Sequence, residues 1–400
     1  MQAVSRQLQS DSAVECPQCG ASQSSPVLEL DNIPIIPNTA WATEQAALKA
    51  PLASVCLVSC SRCQLIYNAT FDEDLITYTE SYGNALHYSN KFQRYSEEIA
   101  ARLAAFYKLR GKLVVEIGCG SGYFLELLCR MADCTGIGFD PSSTAEAAAL
   151  ETNVKILAEE FAGQRACRDA SLICCRQVLE HFADPLALLL SLRSAMGTDS
   201  RADVFFEVPN ALFMLEGNRF WDIVYEHCCY FTPYSLITLF ERAGFAPRDV
   251  RTTFQDQYIT LEAAAQGRHW PLKPAKRNEE FWQRKIDGFS ASFESTSRRW
   301  RAFFEYCQQE KKRCVVWSAG AKGIMFLNLL QCRVSTLPYV VDISPAKLGK
   351  FVSGTGQEIV SPAMLREYRP DYVLLMNGAY EQEVQQELSS LSPGSEIILA

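Results

Sequence analysis

The chain has 400 residues, a formal net charge of −8 and 16 cysteines. At about 100 to 200 residues per domain, that length holds two to four folding units. The acidic balance disfavours a nucleic-acid surface, which needs a basic face against phosphates, and with no apolar run of about 18 residues and no basic-then-apolar leader, the expectation is a cytoplasmic chain without a membrane span.

Many cysteines, among them Cys119, Cys174, Cys175 and Cys314, lie inside apolar runs and read as buried thiols rather than a secreted disulfide framework. Four are different. Cys16-Pro17-Gln18-Cys19 and Cys60-Ser61-Arg62-Cys63 form two C-x-x-C knuckles, whose paired thiolates suit one tetrahedral zinc ion. With four thiolate ligands no position is left for water, so the expected zinc is structural. A redox dithiol is the rival reading, and Cys56 is a possible substitute ligand. Between the knuckles, Ile33-Pro34-Ile35-Ile36-Pro37 shows little regular pattern and suggests a small lobe, residues 1–70, that needs the metal for its stability.

The stretch from Phe71 to Ser89 carries Tyr78, Tyr82, His87 and Tyr88, either as ordinary packing or as a lid offering ring faces and phenol donors to a polar substrate. An amphipathic helix over Lys91–Leu109 follows. Leu113–Ile117 then reads as a strand, and Gly118, Gly120 and Gly122 permit a sharp turn and close approach of a ligand. A helix over Tyr123–Met131 leads to a second strand, Thr135–Phe139, ending on Asp140, where a carboxylate can accept both hydroxyl hydrogen bonds of a ribose. The turn is Glu116-Ile117-Gly118-Cys119-Gly120-Ser121-Gly122. An acid before the glycines would repel a pyrophosphate but tolerates a sulfonium and its ammonium. The stretch resembles motif I of the class I S-adenosylmethionine methyltransferases, with Asp140 matching their ribose-binding acid. An unliganded glycine turn in an α/β core is the plain alternative.

Beyond it come an alanine-rich helix, a strand near Val154–Ile156, and Glu160, an acid that could meet the adenine amine. The buried strand Ala170–Arg176 ends at Gln177, followed by Val178-Leu179-Glu180-His181. Strand ends of an open α/β sheet face the ligand crevice, which places Gln177 and His181 there. After the strand Val204–Val208 comes an aromatic-rich segment holding Tyr225, Glu226 and His227. Methylation of carbon needs a base, and a neutral imidazole, with a reference pKa near 6.5, suits a proton made acidic by a neighbouring carbonyl. His227 fills that role, with Glu226 or another carboxylate to orient the ring or stabilise its charged form; a surface Glu-His pair is the competing reading.

Together the two C-x-x-C knuckles, the tyrosine-rich bridge, E-x-G-C-G-x-G, V-L-E-H-x-x-D-P and E-H-x-x-Y-F resemble the zinc-containing sugar C-methyltransferases that act on nucleotide-linked 4-keto deoxysugars. The resemblance implies that His227 abstracts the proton at C3 beside the 4-keto group and that the enolate takes the methyl of S-adenosylmethionine, leaving S-adenosylhomocysteine. It also implies that Glu226 stands beside the base, that His181 and Tyr82 contact the sugar and its enolate, and that Glu116, Gly118, Cys119, Gly120, Gly122, Asp140, Glu160 and Gln177 surround the cofactor. Tyr78 and Tyr225 would touch substrate. Val224 departs from the pattern, occupying a position where the family carries tyrosine.

A strand pair around Phe245–Ala264 should close the methyltransferase sheet, and Lys276–Lys312 has the spacing of a long helical connector. The last segment repeats the α/β grammar: strand Cys314–Trp317, a turn through Gly320 and Gly323, a helix to Leu330, strand Tyr339–Val341 ending on Asp342, then strands Asp371–Met376 and Glu396–Leu399. The turn lacks a full G-x-G-x-x-G, so it is weak evidence for NAD. The family resemblance implies instead that this domain helps hold a nucleotide-sugar; Lys322 near a helix N-terminus suits a diphosphate, and Lys347 and Lys350 are either assisting groups or solvent-facing charges. The expected fold is α/β: a zinc-binding lobe (1–70), a class I methyltransferase Rossmann-like domain (71–268), a helical connector (269–312) and a smaller Rossmann-like domain (313–400) facing it across a cleft. The alternatives are methylation of carbon, nitrogen or oxygen in another small metabolite, a scaffold with a vestigial methyltransferase fold, and NAD-dependent oxidoreduction at the second glycine turn. The pattern does not fix the oligomeric state.

Overall fold

The structure, a computed structural model, describes residues 14–76, 86–143, 153–163, 166–265 and 279–400. The expected alanine-rich helix, Tyr78 and Tyr82 lie outside the described residues.

The chain opens with β1 (Ser24–Pro34), β2 (Ala40–Trp41), α1 (Glu44–Ala47), β3 (Leu52–Cys60) and β4 (Ile66–Asn68). β1 and β3 run antiparallel from Ser24↔Cys60 to Pro34↔Leu52. The sequence suggested little order here, whereas the structure holds an 11-residue strand. Its prolines are tolerated for a physical reason: Pro26 stands at a register shift and Pro34 at the strand's last residue, so neither interrupts a continuous central ladder. The hairpin also has an apolar partner. Trp282 Nε1 donates to Ser59 Oγ at 2.8 Å and Ser290 Oγ to the Val27 carbonyl, fastening the long connector helix across it.

The second unit contains α2 (Asn90–Tyr107), β5 (Leu113–Ile117), α3 (Tyr123–Ala132), β6 (Thr135–Phe139), β7 (Val154–Leu157), α4 (Ala166–Asp169), β8 (Leu172–Arg176), α5 (Pro185–Met196) and β9 (Asp203–Pro209). It continues through α6 (Ala211–Glu216), β10 (Cys229–Tyr230), α7 (Pro233–Arg242), β11 (Ala246–Thr253) and β12 (Tyr258–Ala264). Its seven-stranded sheet has the order β11-β12-β9-β8-β5-β6-β7, with β9-β8-β5-β6-β7 parallel and β12 inserted antiparallel beside β9. This is the class I methyltransferase sheet. Parallel strands covered on both faces are mostly apolar, as β8 (LICCR) and β9 (DVFFEVP) are apart from Arg176, Asp203 and Glu207. β10 stands outside this sheet and pairs with β4, Cys229↔Tyr67 and Tyr230↔Ile66.

The connector is the 31-residue α8 (Glu279–Gln309), whose Trp282, Phe289, Trp300 and Phe304 are buried. The third unit holds β13 (Cys314–Trp317), α9 (Ala321–Leu330), β14 (Tyr339–Val341), β15 (Phe351–Val352), β16 (Glu358–Val360), α10 (Leu365–Tyr368), β17 (Tyr372–Leu375), α11 (Glu381–Leu391) and β18 (Glu396–Leu399). Five strands in the order β18-β17-β13-β14-β16 are parallel, and β15 and then β2 extend the sheet antiparallel. The amino-terminal segment therefore gives strands to two sheets. Among the described residues no helix is long and apolar enough to cross a membrane.

Candidate active site

The glycine turn follows β5 with φ of +68°, +54° and +83° at Gly118, Gly120 and Gly122, the left-handed region that side chains avoid. At Gly118 space is also closed, because an added Cβ would stand 2.2 Å from Val178 Cγ2. Asp140 Oδ2 accepts the Gly120 N–H at 2.7 Å and Oδ1 accepts the Ser142 N–H at 2.9 Å, so the acid expected at a ribose braces the turn. Beneath the turn Glu116 is buried, its Oε2 lacks a hydrogen-bond partner among the described residues, and burial pushes its pKa up to about 8. A cation placed against that orphaned oxygen would offset the cost of burying it. These features fit the cationic S-adenosylmethionine.

The other cofactor positions are placed differently from one another. Cys119 packs its thiol against Gly138 and is buried. Gln177, with φ of +56°, lines the cleft, but its amide nitrogen donates to Glu207 Oε1 at 3.0 Å. Glu207 is a hub that sequence reasoning missed. Fully buried at the end of β9, it also accepts from Arg176 Nη2 at 3.0 Å and from the Tyr95 hydroxyl. Its signal was a lone acid inside an apolar strand. Glu160 is exposed after β7, and His87 stacks on Tyr123 at the start of α3, ring centroids 4.8 Å apart.

A cavity of about 260 Å³ opens between the second and third units. Gln177, Glu180, His181, Val224, Glu226 and His227 line one side, Ser318, Gly320, Lys322, Asp342 and Asn377 the other. Val178, which touches the glycine turn, immediately precedes the Leu179–His181 helical turn, so the cofactor cradle and this cavity share a wall. The two imidazoles meet there edge to face, centroids 4.7 Å apart. Burial lowers the His181 pKa to about 4, and burial, His181 and Lys322 lower that of His227 well below its ordinary value. Both rings are therefore neutral near pH 7. Cys228 Sγ donates to the Glu180 carbonyl at 3.4 Å and joins the two segments that carry them.

Two expectations need correction, and Lys347, which lines the cavity, has a second role. Glu226 Oε2 lies 3.8 Å from His181 Nδ1, so the acid expected to orient His227 stands against the other imidazole. Tyr225 faces away from the cavity: its ring packs on Phe71 and its hydroxyl accepts the Asp72 N–H at 3.0 Å. Tyr88, Tyr230, Tyr258 and Tyr380 line the cavity instead. Lys347 is buried with Nζ on the Ala319 carbonyl at 2.7 Å, which makes it a brace for the second glycine turn. Lys322 is where the sequence placed it, in the first turn of α9, paired with Asp222 at 2.8 Å. Asp342 repeats the device of Asp140: Oδ2 accepts Ala319 N–H at 2.7 Å and Oδ1 accepts Ser344 N–H at 2.8 Å.

Away from the cavity, Cys16, Cys19, Cys60 and Cys63 converge, all buried, with Sγ separations of 3.5 Å for Cys16–Cys63 and for Cys19–Cys60. A tetrahedral ion with Zn–S near 2.3 Å implies sulfur spacings of about 3.8 Å, so the cluster could hold such an ion with slight expansion. Hydrogen bonds from Cys16 and Cys63 hold the Cys60 pKa far below that of a free thiol. Cys56 is not part of the cluster.

Residues 88–250 match the family described as a methyltransferase domain, and residues 272–400 match the C-methyltransferase C-terminal domain. C-methyltransferase NovU of Streptomyces niveus is 27% identical over 308 residues, covering 72% of each chain. The chain is an S-adenosylmethionine-dependent methyltransferase. The ubiquinone biosynthesis O-methyltransferase of Aeromonas salmonicida (strain A449) is 31% identical over 160 residues, 36% of this methyltransferase and 66% of that one. Magnesium protoporphyrin IX methyltransferase from Synechocystis PCC 6803, solved with bound SAH, aligns at 16% identity and a TM-score of 0.35, over 44% of this chain and 83% of that one. The match over residues 272–400 and the NovU similarity support C-methylation by this methyltransferase.

Proposed function

We propose that this methyltransferase alkylates a carbon beside a carbonyl, C3 of a nucleotide-linked 4-keto deoxysugar, with His227 as the base. The observation that carries the reading is a neutral His227 imidazole lining a cavity whose wall is shared with the cofactor turn and whose far side is the third unit. S-adenosylmethionine supplies the electrophilic methyl. The His227 nitrogen takes the proton from the carbon, the C–H electron pair becomes an enolate, and that carbon forms the new bond to methyl as S-adenosylhomocysteine leaves. Burial alone makes His227 a weak base in the empty site. A carbonyl-acidified proton eases the transfer, and the ring that receives it shares the cavity with the buried Glu180 and Glu226 side chains.

The third unit supports a substrate with an anionic handle, because Lys322 stands in the first turn of α9, where the helix dipole and amide groups also favour negative charge. We assign zinc to the cysteine cluster as a structural ion. Replacing His227 by Ala should lower C-methylation by about 10²- to 10⁴-fold while calorimetry shows S-adenosylmethionine binding unchanged. It should also abolish wash-out of the substrate's α-hydrogen in deuterated buffer without the methyl donor. Retained exchange in that variant removes His227 as the base, and failure of every nucleotide keto-sugar in a panel removes the substrate class.

A further inference from the structure

We propose that Glu180, His181 and His227 form a second cation site, open to the cavity, for a divalent transition ion of the zinc, cobalt or nickel class. One ligand atom from each residue lies within 4.8 Å of the others. Glu180 and His181 come from the helical turn after β8 and His227 from the segment before β10, held together by the Cys228 thiol on the Glu180 carbonyl.

The second observation is electrostatic. Glu180 is 1% exposed, and neither of its carboxylate oxygens has a hydrogen-bond partner in another residue among the described residues. Glu226, also buried, adds a second carboxyl group beside His181. Lys322, the cation that bears on His227, is already paired with Asp222. An uncompensated buried carboxylate is costly, so Glu180 must either hold a proton or find a cation. The imidazoles are prepared for the second course. His181 and His227 stand edge to face with ring centroids 4.7 Å apart, and each brings one ring nitrogen into the cluster. Two imidazoles and one carboxyl group, with remaining positions facing the cavity, make a ligand set typical of open transition-metal sites. It differs from the cysteine cluster in using nitrogen and oxygen rather than sulfur.

On the reading of His227 as the base, such an ion occupies the lone pair that proton transfer requires, so the loaded enzyme is inhibited. The experiment takes the full chain with its cysteine cluster filled by zinc and titrates it with cobalt(II). The expected result is one further equivalent with visible d–d absorption, no thiolate-to-cobalt charge-transfer band, and loss of methyl transfer that a mild chelator reverses. Glu180→Gln, a neutral isostere, should lose this equivalent while keeping the parent's thermal unfolding. Absence of a further equivalent, or one retained in E180Q, overturns the site and leaves the wash-out test of His227 standing. Binding that is lost in E180Q but does not inhibit upholds the site and removes His227 as the base.

Discussion

Glu116 is held protonated by burial, and its pKa near 8 against an ordinary 4.5 makes the empty enzyme's stability depend on pH. Between those values the folded state binds a proton that the unfolded state has released, so stability falls as pH rises from about 4.5 to 8 and then levels. Glu116→Gln should flatten that slope: in thermal unfolding, the variant gains on the parent at pH 9 and matches it at pH 4. Cationic cofactor favours the ionised acid, so binding below pH 8 should release a proton, detected by calorimetry in buffers of different ionisation enthalpy. The same variant should release none. At Gly118 both the positive φ and the 2.2 Å approach to Val178 oppose a side chain. Gly118→Ala should lose about 1–3 kcal/mol of stability and bind cofactor more weakly, with Val178→Ala restoring part of both.

The sheet strands of the second unit and its first two helices were legible because each carries one dominant signal, an apolar run, a glycine turn or helical spacing, whereas α4 to α7 and β10 were not legible. Leu113–Ile117 and Thr135–Phe139 are strands with the bounds the sequence gives them. The amino-terminal hairpin was not legible, since its order comes from α8, more than two hundred residues away, packing on it. The site was legible where strand ends dictate direction, as for Gln177 and His181, but not where two segments meet. Nothing local says that Glu226 turns to His181 or that Tyr225 turns inward to Asp72. Helix α2 shows the same dependence. Glu383 of α11 accepts from Ser89 Oγ at 2.7 Å, Asn90 N–H at 3.1 Å and Lys91 N–H at 3.3 Å, capping that helix from the third unit. Removing it in Glu383→Ala should cost about 0.5–2 kcal/mol in denaturant unfolding.

At the scale of the molecule, the cavity stays between two units because they are tied at its rim. Besides Glu383, Gln257 and Asn377 exchange amide hydrogen bonds at 2.7 Å each, and Lys322 pairs with Asp222. Asn377→Ala should raise the substrate KM severalfold while the cofactor Kd is unchanged, because the glycine turn and Asp140, the proposed cofactor residues, lie wholly within the second unit. Metal analysis of the purified chain with its cation site empty should find one zinc, and Cys19→Ser should lower both zinc content and thermal stability.

The pairing of β4 with β10 reaches further than its two residue pairs suggest. Ile66 begins β4 three positions after Cys63, and Cys229 begins β10 two positions after His227. The thiolate knuckle and the imidazole loop are thus neighbours along one short hydrogen-bonded seam. With zinc in that cluster as proposed, a strong chelator would act as a slow poison of the reaction: turnover would fade first, as the loop drifts, while adenosyl affinity and bulk helicity persisted.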